Sequence, residues 1–441
     1  MPSWAEHAIW WQVYPLGFTG APAIAPPGAA GVRHRLRQLE PWLDYAVELG
    51  CSGLQLGPIF AAESHGYDTV DHFRIDPRLG DDRDFDALVA KARERGLRIV
   101  LDGVFNHVGR SFAAGERWFK RGPGGDHEVF EGHHGLVALD HAEPAVQKHV
   151  AGVLDHWLGR GASGWRLDAA YAVPAWFWRK ILPEVRERHP EAWFGGEVIH
   201  GDYAGYVRQS GLDSVTQYEL WKAVWSSLND RNLFELAWAL DRHDKLLDTF
   251  VPLTFVGNHD VTRLATRLDD PRHLGHALAV LFTVAGLPSV YYGDEQAFQG
   301  LKEERAGGDD AIRPAFPAEP GGLTPYGAEV YRLHQRLIGF RRRHPWLHGA
   351  RTTAEQLTNK AVALRSRPPG DRGRPAEEVV TLLNLGDRPH RFDIAGARPA
   401  FPDDPDDQDD QGDPAVVPAH GWRVVTQITK EVGNKGSAGI R

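Results

Sequence analysis

A short apolar run followed by an amphipathic stretch recurs along most of the chain, which is the signature of βα units wound around a parallel sheet. Eight such runs stand out, at residues 8–14, 53–56, 98–102, 164–168, 193–196, a weak one at 214–215, 252–256 and 289–292. Between them lie helical patterns. Leu36, Leu39, Leu43 and Val47, and later Val146, Val150, Val153, Leu154 and Trp157, recur at the i, i+3, i+4 spacing that turns one apolar face toward a sheet. Eight strands, each with a crossover helix, favour a closed (β/α)8 TIM barrel. An open doubly wound sheet is the alternative, weakened because no Gly-x-Gly-x-x-Gly follows the first run.

Beyond about Trp346 the pattern changes to short alternating runs at 361–365, 379–383, 391–394 and 423–427, separated by Pro, Gly and Asp. These predict a small antiparallel β-sandwich. The organisation expected is therefore a barrel from 1–108 and 141–346, a short insertion after the third strand at 109–140, a C-terminal sandwich at 347–429 and a loose tail at 430–441. Two segments inside the sandwich, 368–378 and 403–413, are rich in Pro or Asp and read as solvated loops.

Composition narrows the partners. With 42% hydrophobic and 25% charged residues the chain can bury a large core and is not disordered. A net charge of −9 offers no general attraction to nucleic acid or an anionic membrane. The lone cysteine, Cys51, rules out an intramolecular disulfide and a Cys-based zinc cluster within the chain. The first residues show no signal-peptide pattern, and no run of about 18 apolar residues occurs. A cytoplasmic, non-membrane protein is expected, with oligomeric state left open.

Polar groups gather at the ends of the apolar runs: Asp102, Asn106 and His107; Arg166 and Asp168; Glu197; Asn258, His259 and Asp260; Asp294 and Glu295. In a parallel barrel that rim carries the active site. A carboxylate at one strand end is more often a helix cap or an ion-pair partner than a catalyst, so no single one is informative. Their order is: Asp102-Gly-Val-Phe-Asn106-His107, Gly164-Trp-Arg166-Leu-Asp168, Gly196-Glu197 and Val256-Gly-Asn258-His259-Asp260. Over about residues 8–345 the chain resembles the α-amylase family of glycoside hydrolases, whose four strand-end motifs occur in this order.

Glycosidic cleavage requires one carboxylic acid to protonate the leaving oxygen and a second carboxylate to trap an oxocarbenium-like centre. The resemblance implies Asp168 as nucleophile, Glu197 as general acid/base and Asp260 as the third carboxylate that holds sugar hydroxyls. It also implies sugar binding by His107, His259, Asp68, Asp309 and Arg313, with Tyr67 as a stacking platform and Arg166 keeping the nucleophile ionised. Most of the tryptophans are expected to be packing.

Departures from the family pattern sharpen the expectation. The Lys-His pair usual three and four residues after the nucleophile is replaced by Tyr171 and Ala172. The insertion has few acidic residues, and segment 17–31 lacks an Asp ladder, so no metal or other cofactor is expected, calcium included. The resemblance points to the neopullulanase and cyclomaltodextrinase side of the family, without that group's N-terminal domain. The activity expected is retaining hydrolysis of α-glucosidic bonds, mainly α-1,4, in short malto-oligosaccharides or cyclodextrins. A transglycosidase using the same intermediate and a non-catalytic sugar-binding protein are the alternatives.

Overall fold

A computed structural model describes residues 1–24, 31–305, 307–370, 377–401 and 412–428. The barrel strands are β1 (Trp10–Val13), β2 (Gly53–Leu56), β3 (Arg98–Gly103), β4 (Gly164–Leu167), β5 (Trp193–Gly196), β6 (Ser214–Val215), β7 (Leu253–Phe255) and β8 (Leu287–Tyr291). Each pairs in parallel with its sequence neighbour, β8 returns to β1, and a Thr216–Leu253 bridge joins β6 to β7, so the sheet closes. Closure removes both sheet edges, which the open-sheet alternative would have left.

The two faces of the strands do different work because side chains alternate. Trp10, Val100, Trp193 and Leu253, one from each odd-numbered strand, form an inner layer with Leu287, the arrangement that fills a barrel of this size. Ala5, from the 3-10 turn Ser3–His7, closes this layer from below. Gly195 is a glycine because a Cβ there would lie 2.2 Å from the Trp193 indole. Outward-facing Trp11, Leu54, Ile99, Trp165 and Phe194 join the core under the helices. Trp42, Trp157 and Trp178 are likewise fully buried, as expected for packing tryptophans.

The helix Pro144–Gly159 buries every member of its predicted stripe, and the Glu143 carboxylate caps it by accepting from Ala145 N–H. The first predicted stripe needs correction. Arg35–Leu39 is a 3-10 turn, Pro41 interrupts, and an α-helix restarts at Trp42–Leu49. Its buried face centres on Trp42, Tyr45, Ala46 and Leu49, leaving Val47 43% exposed.

C-terminal to the barrel, β9 (Arg351–Glu355), β10 (Ala361–Arg367), β11 (Glu377–Asn384), β12 (Arg398–Pro399) and β13 (Trp422–Ile428) form an antiparallel sheet in the order β9-β10-β11-β13-β12. Val379 and Val424 pack on Ala279 and Phe340 of the barrel helices Leu274–Thr283 and Ala328–Arg343. Val380, Leu382 and Val425 pack the other way, against Phe392, Ile394 and Val417. That second layer is small: of the run predicted at 391–394, only Arg391 lies in a strand, His390–Arg391, paired with Val416–Val417. The predicted tail at 430–441 lies outside the described residues, as does most of the loop at 403–413 and the middle of that at 368–378.

After β3 the chain forms a hairpin of His107–Gly109 with Leu136–Ala138. Further bridges, Phe119 with Leu139 and Val129 with Val137, tie the intervening residues to it. The insertion is thereby held over the C-terminal mouth of the barrel. Among the described residues, no helix is long and apolar enough to cross a membrane.

Candidate active site

Alternation carries the inner face of each strand up to the mouth. Val100 leads to Asp102 on β3, Arg166 to Asp168 at the end of β4, and Trp193 through Gly195 to Glu197 at the end of β5. Arg166 is the hub. Its Nη1 donates to both oxygens of Asp102 at 2.9 Å and to Asp168 Oδ1 at 2.8 Å, while Nη2 lies 2.6 Å from Glu197 Oε1. All four groups are buried. One cation facing three carboxylates cannot neutralise them all. Burial pushes the Asp168 and Asp102 carboxyls up, with Arg166 opposing it and the neighbouring carboxylates adding to it. Asp168 and Asp102 therefore hold a proton more tightly than free carboxyls, and Arg166 is the group that opposes this at the nucleophile.

Glu197 is positioned by two groups the sequence reading missed. Tyr218 OH donates to its Oε1 at 3.0 Å, and Asn258 Nδ2 donates to that hydroxyl at 2.9 Å. Asn258 had been placed at the rim but given no role. The Ala169 N–H donates to Glu197 Oε2 at 3.1 Å, which Ala169 achieves in a left-handed conformation, φ 43°.

Asp260 stands on the other side, 32% exposed where Asp168 is nearly covered. Arg313 Nη2 lies 2.9 Å from its Oδ1 and 3.0 Å from Asp309 Oδ2, while His259 Nε2 lies 2.9 Å from its Oδ2. Burial raises the Asp260 carboxyl, but His259 and Arg313 outweigh it and hold it below the usual carboxylate range. Gln12 Nε2 meets His259 Nδ1 at 3.2 Å.

Tyr67 lies parallel to the His259 ring, 5.5 Å between centroids, and its hydroxyl reaches His259 Nε2 and Asp102 Oδ2. Tyr14, also missed, lies parallel to the His259 ring at 6.2 Å between centroids and under the Arg313 guanidinium. Both Gln12 and Tyr14 belong to the first apolar run, and the rim rule applied to that strand would have found them. Asp68 is buried, with Ser64 on Oδ2 and no partner for Oδ1. His107 stacks on Phe130 of the insertion at 4.6 Å, accepts from Asn106 at 3.2 Å and leaves Nε2 unpartnered. Tyr171, where the Lys-His pair is missing, donates to Glu131 of the insertion at 2.6 Å. The structure thus gathers Asp168, Glu197, Asp260, Arg166, His259, Tyr67, Arg313 and Asp309 through direct contacts. His107 and Asp68 join through neighbours in sequence.

Asp294 and Glu295, in the 3-10 turn that follows β8, have partners other than the carboxylate cluster. Asp294 pairs with Arg263 at 2.8 Å, and Glu295 accepts from Tyr45 and from the Gly293 N–H, both at 2.9 Å. Burial pushes Glu295 up to about 7 and Asp294 up to about 6.

A closed parallel barrel whose mouth joins a buried carboxylate pair to one arginine, with a third carboxylate opposite, has the framework of a retaining glycosidase. The chain belongs to the α-amylase family: the family's alpha amylase catalytic domain matches residues 35–128 and 114–363. It is 32% identical over 385 residues to neopullulanase 2 of Thermoactinomyces vulgaris, covering 77% of this chain and 65% of that protein. It is 29% identical over 385 residues to a cyclomaltodextrinase of Geobacillus thermopakistaniensis, covering 78% and 63%. The chain thus spans somewhat less than two thirds of the length of these relatives. Among solved structures, the cyclic α-maltosyl-(1→6)-maltose hydrolase of Arthrobacter globiformis superposes over 97% of this chain and 99% of that one, with a TM-score of 0.79 and 25% identity.

Proposed function

We propose that the protein is a retaining glycoside hydrolase that cleaves α-glucosidic bonds, mainly α-1,4, in short malto-oligosaccharides or cyclodextrins. The observation that carries this reading is the single guanidinium of Arg166 bonded to both Asp168 and Glu197. Two carboxyls held by one planar group fit the narrow separation of about 5–5.5 Å used for covalent catalysis better than the wider gap that admits a water.

In the proposed cycle Asp168 attacks the anomeric carbon with its second oxygen while Oδ1 stays on Arg166. Glu197 gives its proton to the departing glycosidic oxygen. The ester formed on Asp168 is then broken by a water, or by a sugar hydroxyl in transglycosylation, whose proton returns to Glu197. Asp260, kept ionised by His259 and Arg313, holds ring hydroxyls as the sugar flattens, an interaction that gains strength in the transition state. Tyr67 and His107 bind the sugar beside the scissile bond, and Asp68 and Asp309 take hydroxyls further out. No step calls for a cation, so activity is expected to survive chelator. A cytoplasmic location accords with a diet of imported oligosaccharides.

Tyr171 and its Glu131 partner occupy the leaving side where the Lys-His pair would bind longer chains. Short and cyclic substrates are favoured accordingly. The test is a time course of products from maltose, maltotriose, β-cyclodextrin, pullulan, sucrose, trehalose and soluble starch, with kcat/KM per cleavable bond. Preference for maltotriose or β-cyclodextrin is expected. A clear advantage for starch with mid-chain products would make the protein an ordinary endo-amylase, and transfer products that dominate at high substrate concentration would make it a transglycosidase.

A further inference from the structure

Outside the carboxylate cluster, the 3-10 turn Pro271–His273 ahead of the helix Leu274–Thr283 brings a histidine against the C-terminal β domain. His273 Nε2 lies 3.1 Å from His420 Nδ1, and Asp270 Oδ2 lies 3.9 Å from the first and 3.7 Å from the second. Both imidazoles are buried, and Asp270 retains 17% exposure. We infer that Asp270, His273 and His420 form a binding site for a zinc-class divalent transition-metal ion that ties the barrel to the C-terminal β domain.

The geometry supports the assignment. Donors about 2.0–2.2 Å from a tetrahedral ion stand roughly 3.3–3.6 Å from one another, and the three observed separations depart from that by a few tenths of an ångström. Two ring nitrogens and one carboxylate suit zinc or its first-row neighbours, whereas calcium and magnesium seek oxygen alone.

The surrounding groups hold the donors in the needed state. His420 Nε2 donates to Asp387 Oδ1 at 2.9 Å, so Nδ1 presents its lone pair. This is the carboxylate–histidine relay that orients metal-bound imidazoles. Asp270 is also gripped by Arg272, with Nη2 at 2.6 Å and Nε at 3.2 Å from Oδ2 and Nε at 2.9 Å from Oδ1, so an ion at Oδ2 displaces the longer Nε contact, and Nε keeps its bond to Oδ1. Binding replaces the His273–His420 hydrogen bond, and His273 shifts its proton to Nδ1, so no net charge is created on the rings. A cavity of about 260 Å³ lined by His420, Arg272 and Trp422 lies beside this histidine. His420 sits in the left-handed region at φ 51°, which His and Asn adopt more readily than most residues.

The other group of this kind, His34 with Asp81 and Asp84, offers a single imidazole, and that one is exposed; Asp84 takes His34 and Arg37, and it completes the cap of the helix Asp82–Glu94 together with Asp81.

The test uses the full chain, stripped of metal by chelator and dialysed. Zinc is titrated in competition with a chromogenic chelator, and cobalt is followed by its visible absorption. One high-affinity ion per chain is expected, with nitrogen-ligated cobalt bands and a melting temperature that rises with zinc. His273→Ala and His420→Asn should weaken binding at least tenfold; asparagine is chosen because it tolerates the left-handed backbone. Asp387→Asn, on a residue 67% exposed and so safe for folding, should weaken it by about 10–100-fold. His34→Ala should leave binding unchanged. Absence of a saturable site at one equivalent, or an affinity that is the same in His420→Asn and Asp387→Asn as in the parent, would overturn the inference.

Discussion

Replacing Arg166 by lysine tests the electrostatic core of the site. Arginine reaches three carboxylates at once because its nitrogens are held in a plane, whereas a lysine ammonium is one point charge on a flexible stem. Lys at 166 keeps the net charge but can meet at most one or two of Asp102, Asp168 and Glu197, which Arg166 contacts at 2.6–2.9 Å. Losing a partner from a buried ion pair costs about 3–5 kcal/mol, so a stability loss near the lower end, about 3 kcal/mol, is expected for this charge-conserving change. A neighbouring arginine lowers a carboxyl by about 1–3 pKa units. Its weakening should therefore move the acid limb of kcat/KM toward higher pH by about one unit or more. Urea unfolding reports the first effect, and a pH series with a chromogenic maltoside reports the second. A variant that is as stable as the parent and shows an unmoved acid limb would refute the role given to Arg166.

Other substitutions separate chemistry from scaffold. Asp168→Asn and Glu197→Gln should each lower kcat by several orders of magnitude with folding intact, and Asp260→Asn should fall mainly in kcat because its contacts mature in the transition state; near-normal turnover by a folded variant would remove that residue from the mechanism. Tyr171→Phe deletes the bond to Glu131 and should raise KM for maltotriose severalfold with kcat little changed, so a fall confined to kcat would place Tyr171 in the chemical step instead. Burial raises the Glu295 pKa from 4.5 to about 7. Its contribution to stability is full below about 4.5 and is lost as pH rises through about 7, the sign opposite to that of a salt-bridged carboxylate. Glu295→Gln should flatten that part of the stability curve between about pH 5 and 8, and an unaltered slope would show that Glu295 is ionised in the fold.

Most of the barrel was legible because it is a repetition: each strand is an apolar run, and each carries its inward residue toward the mouth. The three carboxylates and Arg166 could be found for the same reason, being polar residues at the end of apolar runs in a recognised order. What escaped had no such marker. β9 reads Arg-Thr-Thr-Ala-Glu, without the alternation that betrays a half-buried strand, since it lies at the edge of its sheet. Tyr218 follows a strand of two residues, too short to announce a rim position. Glu131 and Phe130 reach the site from the insertion through tertiary contacts that no local pattern encodes. Asp294 and Glu295 show the converse, since position after a strand end does not decide a side chain's partner: Arg263 takes the one and Tyr45 the other.

The most direct measurement of the central claim is to trap the glycosyl enzyme. In Glu197→Gln, α-maltosyl fluoride can still react, because fluoride departs without a general acid, while hydrolysis of the ester is slowed for want of a base. Intact mass spectrometry should show the protein gaining one maltosyl group, and peptide mapping should place it on Asp168. A protein that turns over the fluoride without carrying the sugar, or carries it on another residue, would contradict a covalent mechanism centred on Asp168.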